Sequence, residues 1–256
     1  MTDILLRTER LTKTFAGFTA VDGVDLAVRR GSIHALIGPN GAGKTTCFNL
    51  LTRFLEPTAG RIVFDGADIT ALRPAAVARR GMVRSFQISA VFPHLTLLQN
   101  VRLALQRRLG TAMHFWRSDR SLEPLDGRAM ELLQEVGLRA LADEAAVNLP
   151  YGRKRALELA TTLAMEPALM LLDEPTQGMG HEDVARVTEL IRRVSAGRTV
   201  LMVEHNMQVV STIADAITVL QRGAVLAEGD YATVSRDPRV MQAYMGTAEG
   251  ELQGAH

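Results

Sequence analysis

Along the first quarter of the chain, short runs rich in apolar residues alternate with turn signals. Residues 4 to 12 and 19 to 28 read as strands joined by the turn "FAGF", and "SIHALIG" at 32 to 38 predicts a third strand that is apolar on both faces. A helix is predicted from about Gly43 to Phe54, followed by the turn "EPTAG", a strand at 61 to 65, and a reversal at the "DG" of 65 and 66. From about 96 to 165 the apolar spacing lengthens to three and four. "LTLLQNVRLALQRRL", "GRAMELLQEVGL" and "GRKRALELATTLAM" each predict a helix, with the irregular stretch "GTAMHFWRSDRSLEPLDG" between the first two. The last third returns to short apolar runs, "ALMLLDE", "TVLMVEH" and "AITVLQRG". Strands alternating with helices in this way predict an α/β fold on a largely parallel sheet, with 88 to 157 as a helical insertion.

Composition narrows the function classes. A chain of 256 residues, 47% hydrophobic, can bury a large core. Its 29 Lys and Arg nearly balance 28 Asp and Glu, so no global positive field holds it on nucleic acid, and no nucleic-acid partner is expected. The start "MTDILLRTER" lacks the apolar run of a signal peptide, and nowhere do about eighteen apolar residues run together. The expected location is cytoplasmic, with any membrane role exerted through partners. Cys47 is the single cysteine; it excludes an internal disulfide and a cysteine zinc cluster, and reads as a packed small side chain.

Candidate chemistry begins at "GPNGAGKTT", Gly38 to Thr46. Gly, four residues, then Gly-Lys-Thr, between an apolar strand and a helix, is the pattern of a phosphate cradle. In such a loop, Gly38, Asn40, Gly41, Ala42 and Gly43 turn backbone N–H groups toward phosphates, while Pro39, which has no N–H, stiffens the turn. Lys44 adds an ammonium, and the Thr45 hydroxyl, next to Thr46, can ligate Mg²⁺. "LMLLDEP" places Asp173 and Glu174 at the C-terminal end of a buried strand, the edge where open α/β sheets take ligands. Asp173 suits a metal held through water, and Glu174 suits a general base or water-positioning group for attack on a γ-phosphate. His205 follows another apolar strand and lands on the same edge as a candidate γ-phosphate contact. Gln87, where strands give way to helices, can offer its amide to the metal or the water.

The order of these motifs, from about Leu5 to Gly246, resembles the nucleotide-binding subunits of ABC transporters. The resemblance implies a P-loop (RecA-like) core over 1 to 87 and 158 to 230, an N-terminal antiparallel β subdomain, an inserted helical subdomain over 88 to 157, and a C-terminal helix and tail over 231 to 256. It implies ATP and Mg²⁺ as ligands, with Phe15 stacking on adenine, Gln87 in the Q-loop, Glu174 as catalytic glutamate and His205 as switch histidine. Thr45, Gln87 and Asp173 are then the metal group. The family signature is usually Leu-Ser-Gly-Gly-Gln, and it faces ATP bound to a second subunit. Here Leu149, Pro150, Tyr151, Gly152 and Arg153 take those places. Proline lacks the hydroxyl but is tolerated in the first turn of a helix; Gly152 permits close approach, and Arg153 adds a charge toward phosphate. Gly180 replaces the aspartate usual after "DEPT".

Within the family, "RSFQ", "LPYGRKRALELA", "DEPTQGMG", "VEHNM" and "VMQAYMG" look like the ATPases of branched-chain amino acid uptake systems. That branch implies two transmembrane permease subunits, a second ABC ATPase subunit (identical or different), and an extracytoplasmic solute-binding protein. It implies a peripheral position on the inner face of the membrane. Urea or amide uptake and lipid or polysaccharide export stay open as alternatives, with a non-transport ABC ATPase less favoured, since the chain has one cassette and no long heptad repeat between cradle and signature.

Overall fold

The computed structural model describes residues 3–85, 91–106 and 123–244. Two long strands, β1 (Ile4–Phe15) and β2 (Phe18–Arg29), form a hairpin whose turn places Ala16 and Gly17 at positive φ. With β4 (Ala59–Phe64) and β5 (Ala67–Asp68) they build an antiparallel sheet in the order β2-β1-β4-β5. The second sheet has six strands in the order β10-β9-β3-β8-β7-β6. Its members are β3 (Ile33–Ile37), β6 (Met82–Ser85), β7 (Leu169–Asp173), β8 (Thr199–Val203), β9 (Ala216–Gln221) and β10 (Ala224–Gly229). All pair in parallel except β10, which closes one edge antiparallel to β9.

The apolar runs of β3, β7 and β8 are continuous because both faces of this sheet are covered. Every residue of these three strands is buried. One face of the sheet, through Leu36, Leu171, Leu201 and Leu220, packs on helix α1 (Lys44–Leu51) and the antiparallel sheet. The opposite face, through Ala35, Ile37, Met170, Leu172 and Met202, packs on helices. At about 1.5–3 kcal/mol for each large side chain buried, this central layer contributes strongly to stability.

The helices are α2 (Pro74–Arg79), α3 (Leu97–Gln106), α4 (Asp126–Glu135), α5 (Tyr151–Ala164), α6 (His181–Val194), α7 (Met207–Ile213) and α8 (Tyr231–Ser235), with a further helical stretch at 238–244. The amphipathic pattern of α3 and α4 buries Leu97, Val101 and Leu105 against Ala129, Leu132 and Leu133. Helix α6 carries Glu182 and Asp183 in its first turn and Arg192 and Arg193 in its last, each sign complementing the helix dipole. Asn206 caps α7, accepting from the N–H groups of Gln208 and Val209.

Helix α1 stops at Leu51 rather than at Phe54, because Arg53 turns left-handed and the Thr52 hydroxyl bonds back to Phe48 O at 2.8 Å. Strands β5, β6 and β10 and helices α2, α6 and α7 have no counterpart among the elements predicted one by one. Helix α5 runs unbroken across the 157/158 boundary expected between insertion and core. Gln87, most of the insert around Trp116, and the tail beyond 244 lie outside the described residues. Among the described residues no helix is long and apolar enough to cross a membrane.

Candidate functional site

The loop after β3 is shaped by glycines that no other residue can replace. Gly38 has φ 151°, and a Cβ there would stand 2.2 Å from Leu220 O; at Gly43, with φ 99°, it would stand 2.4 Å from Ala20 O. The loop therefore nests directly on backbone, with Ala42 O accepting from Gly223 N at 3.0 Å. Pro39, Asn40 and Gly41 form its tip, and Thr45 is exposed while Thr46 is half-buried on the first turn of α1. Lys44 folds back over the cradle, its ammonium donating to Gly38 O at 2.7 Å and Pro39 O at 3.0 Å. Burial pulls the Lys44 ammonium below its ordinary pKa, and the nearby charge of Glu174 opposes that shift. An arriving phosphate would supply the counter-charge that two carbonyls do not.

Because β3, β8 and β7 are neighbours, their C-terminal ends bring the cradle, His205 and the Asp173–Glu174 pair to one edge. Asp173 is 3% exposed, and its carboxylate is held by the guanidinium of Arg84 on β6, which also donates to Asn49 Oδ1 of α1 at 2.6 Å. Glu174 takes a left-handed backbone, φ 44°, with its N–H bonded to Val203 O of β8 at 3.0 Å. A non-glycine residue held in that region costs about 1–3 kcal/mol and marks a place where the surroundings dictate geometry. His205 is exposed at the end of β8.

Asp173 and the Thr45 hydroxyl are hard oxygen donors of the kind Mg²⁺ takes. The Asp173 carboxylate already holds a cationic group in Arg84, so a positive charge fits this position.

The signature residues stand on the helical side. Leu149 is buried, and Pro150 is the N-cap of α5, one position before the helix rather than within its first turn. Its carbonyl accepts from the N–H groups of Arg153 and Lys154, both at 3.0 Å. Tyr151 is exposed, its hydroxyl 3.4 Å from Gln177 O. Gly152 faces α6, where a Cβ would meet Asp183 Oδ1 at 3.2 Å. Arg153 lines a cleft of about 630 Å³ with Asp183, Arg186 and Arg193. Two residues on, buried Arg155 pairs with Glu158 at 2.5 Å and donates to Asp173 O at 3.3 Å, tying the signature helix to the end of β7. Phe15, 41% exposed, ends β1, with Lys13 Nζ 5.0 Å from its ring centroid.

Arg84, Asn49, Thr176 and Glu204 escaped the sequence reading. A charged residue closing a buried apolar run was the available signal for Glu204; Arg84, inside a four-residue strand, offered none.

A family model for ABC transporters matches residues 21–177, from the hairpin through the cradle to the turn after Glu174. The chain belongs to the ABC transporter ATP-binding family. A second model, described as branched-chain amino acid ATP-binding cassette transporter, matches residues 224–250. The cassette is 38% identical to the high-affinity branched-chain amino acid transport ATP-binding protein BraF of Pseudomonas aeruginosa, over 95% of this chain and 98% of that protein. It is 37% identical to LivG of Escherichia coli, a protein of the same description, over 97% of this chain and 100% of that one. Among solved structures, the ADP conformation of an ATP-binding cassette of an ABC transporter superposes with a TM-score of 0.83 at 30% identity, covering 96% of this chain and 100% of that one. A dimeric cassette in a post-hydrolysis state, bound to ADP and Pi, superposes with a TM-score of 0.72 at 25% identity, over 88% and 98%. The ABC cassette is accordingly an ATPase built on a P-loop α/β fold, the class expected from its strand and helix alternation.

Proposed function

We propose that this cassette is the ATP-hydrolysing subunit of an importer for branched-chain amino acids. The observation that carries this reading is the match of residues 224–250 to the branched-chain model, joined to relatives that align over nearly the whole chain. Urea, amide or lipid transport has no comparable support.

ATP enters with its phosphates on the N–H groups of the Gly38–Thr46 loop, and the Lys44 ammonium exchanges the carbonyls of Gly38 and Pro39 for phosphate oxygens. Phe15 offers an exposed ring for the adenine. Thr45, Asp173 and Gln87 are the residues that would hold Mg²⁺, whose chemistry is to neutralise charge on the transferring phosphoryl group. Glu174 orients and deprotonates the attacking water, and His205 contacts the γ-phosphate. A second cassette, identical or different, brings its own signature residues, equivalent to Leu149, Pro150, Tyr151, Gly152 and Arg153, against this ATP; that cassettes of this fold pair is supported by the dimeric relative. The helical unit near 88 to 157 moves as the pair closes.

Two permease subunits would then transmit the motion, with an extracytoplasmic binding protein delivering solute. Two adjoining hollows of about 370 Å³ each share Arg84 and Met165 and carry the exposed rings of Phe54 and Phe92, which suits them to receive cytoplasmic permease helices. The cassette would in this way sit on the inner face of the membrane.

Uptake of labelled leucine, valine and urea in a strain lacking the gene tests the proposal. Loss of leucine or valine uptake, restored by wild type and not by Glu174→Gln, is the expected result. A change in urea alone would overturn the solute assignment.

A further inference from the structure

Glu204 has no solvent exposure, and among the described residues it has no ion-pair partner. An isolated carboxylate in such a place is costly unless fully hydrogen-bonded. This one accepts from two separate turns. Oε1 accepts from Thr176 N at 3.1 Å and Thr176 Oγ1 at 2.6 Å; Oε2 accepts from His205 N at 3.0 Å and Asn206 N at 3.1 Å. Four donors converging on one group call for an acceptor-only side chain, which a carboxylate is and an amide is not. Thr176 stands two residues after Glu174, whose own N–H is fastened to Val203 O, and Glu204 immediately precedes His205. The loop after β7 is thus tied to the end of β8 at two points. Asn206 continues the chain of constraint by capping α7.

We propose that Glu204 is a positioning residue whose two carboxylate oxygens lock the turn bearing Glu174 to the turn bearing His205, so that both reach the terminal phosphate as one rigid unit. The proposal rests on the roles given above to Glu174 and His205. Neutral Glu204→Gln keeps the size of the side chain and turns an NH₂ toward N–H groups, breaking the lock on one side. Thr176→Val removes a single donor and leaves the carboxylate in place.

The test uses steady-state ATPase assays of the full chain and its backbone amide resonances without nucleotide. Glu174→Gln and His205→Ala run in parallel. The expected result is a fall in kcat of about 10-fold or more for Glu204→Gln with KM for ATP within about 2-fold, and a fall of about 3-fold for Thr176→Val. The double variant should be no slower than Glu204→Gln, because the Thr176 hydroxyl acts through that carboxylate. Thr176→Val should also move the amide resonance of His205, which lies in the other turn; this reading stands even if Glu204→Gln fails to fold. An unmoved His205 resonance, or normal kcat in Glu204→Gln while Glu174→Gln and His205→Ala are impaired, would overturn the lock alone. Full activity in those two controls would overturn the catalytic assignment, and the positioning role with it.

Discussion

Arg84 grips the carboxylate of Asp173 across the neighbouring ends of β6 and β7, where Ser85 lies opposite Leu172 in parallel register. The pair is nearly dry, with side chains 12% and 4% exposed. Removing one member of such a pair strands the other, at a cost of about 3–5 kcal/mol. Arg84→Met should therefore lower the unfolding free energy by about that amount in urea titrations. Arg84→Met with Asp173→Asn should recover more than half of the loss.

His34 lies inside β3, its Nε2 2.8 Å from Thr218 Oγ1, and burial pushes its pKa down to about 4, helped by the charge of Arg29. The unfolded chain takes up this proton near pH 6.5 and the folded one only near 4, so stability declines as pH falls through that window. The expected loss at pH 5 relative to pH 7.5 is about 2 kcal/mol from this group. Urea unfolding at the two pH values, wild type against His34→Gln, should show the variant with the smaller decline.

Pro150 caps α5 without a side-chain hydrogen bond. Serine at an N-cap accepts from the second or third N–H of the helix and is worth up to about 1 kcal/mol. Pro150→Ser should raise the melting temperature while changing ATPase activity little, whereas Gly152→Asp, pressed against Asp183, should abolish most of it. Unaffected ATPase in Gly152→Asp would show that the signature makes no close approach.

Burial raises the Cys47 thiol to about 12, so its thiolate is scarce at any ordinary pH. Maleimide should leave the native protein unlabelled at pH 8 and label it on unfolding, at one site because the chain has one cysteine.

Much of the cradle edge was legible in the sequence because its signals are local. The glycines, Lys44 and the apolar strands before Asp173 and His205 each announce themselves within ten residues. Strand β6 did not, because Met-Val-Arg-Ser is four residues with a charge inside, and β10 did not, because an edge strand of half-buried residues shows little alternation. Arg84 and Glu204 depend on partners 89 and 28 positions away, separations at which no periodicity carries information. Pro150 raised the opposite difficulty. Its departure from the usual signature is visible in the sequence, but its place as N-cap required the backbone, where its carbonyl opens the helix without a side-chain donor or acceptor.

Helix α5 continues without a break from Tyr151 to Ala164, fourteen residues and so about 21 Å of stiff rod. A tilt of about 10° about its Ala164 end would carry Tyr151 about 4 Å on this rise per residue, more than the length of a hydrogen bond. The rod is a pointer: a rotation that is small beside β7 is magnified at its far tip, where Tyr151 and Gly152 stand.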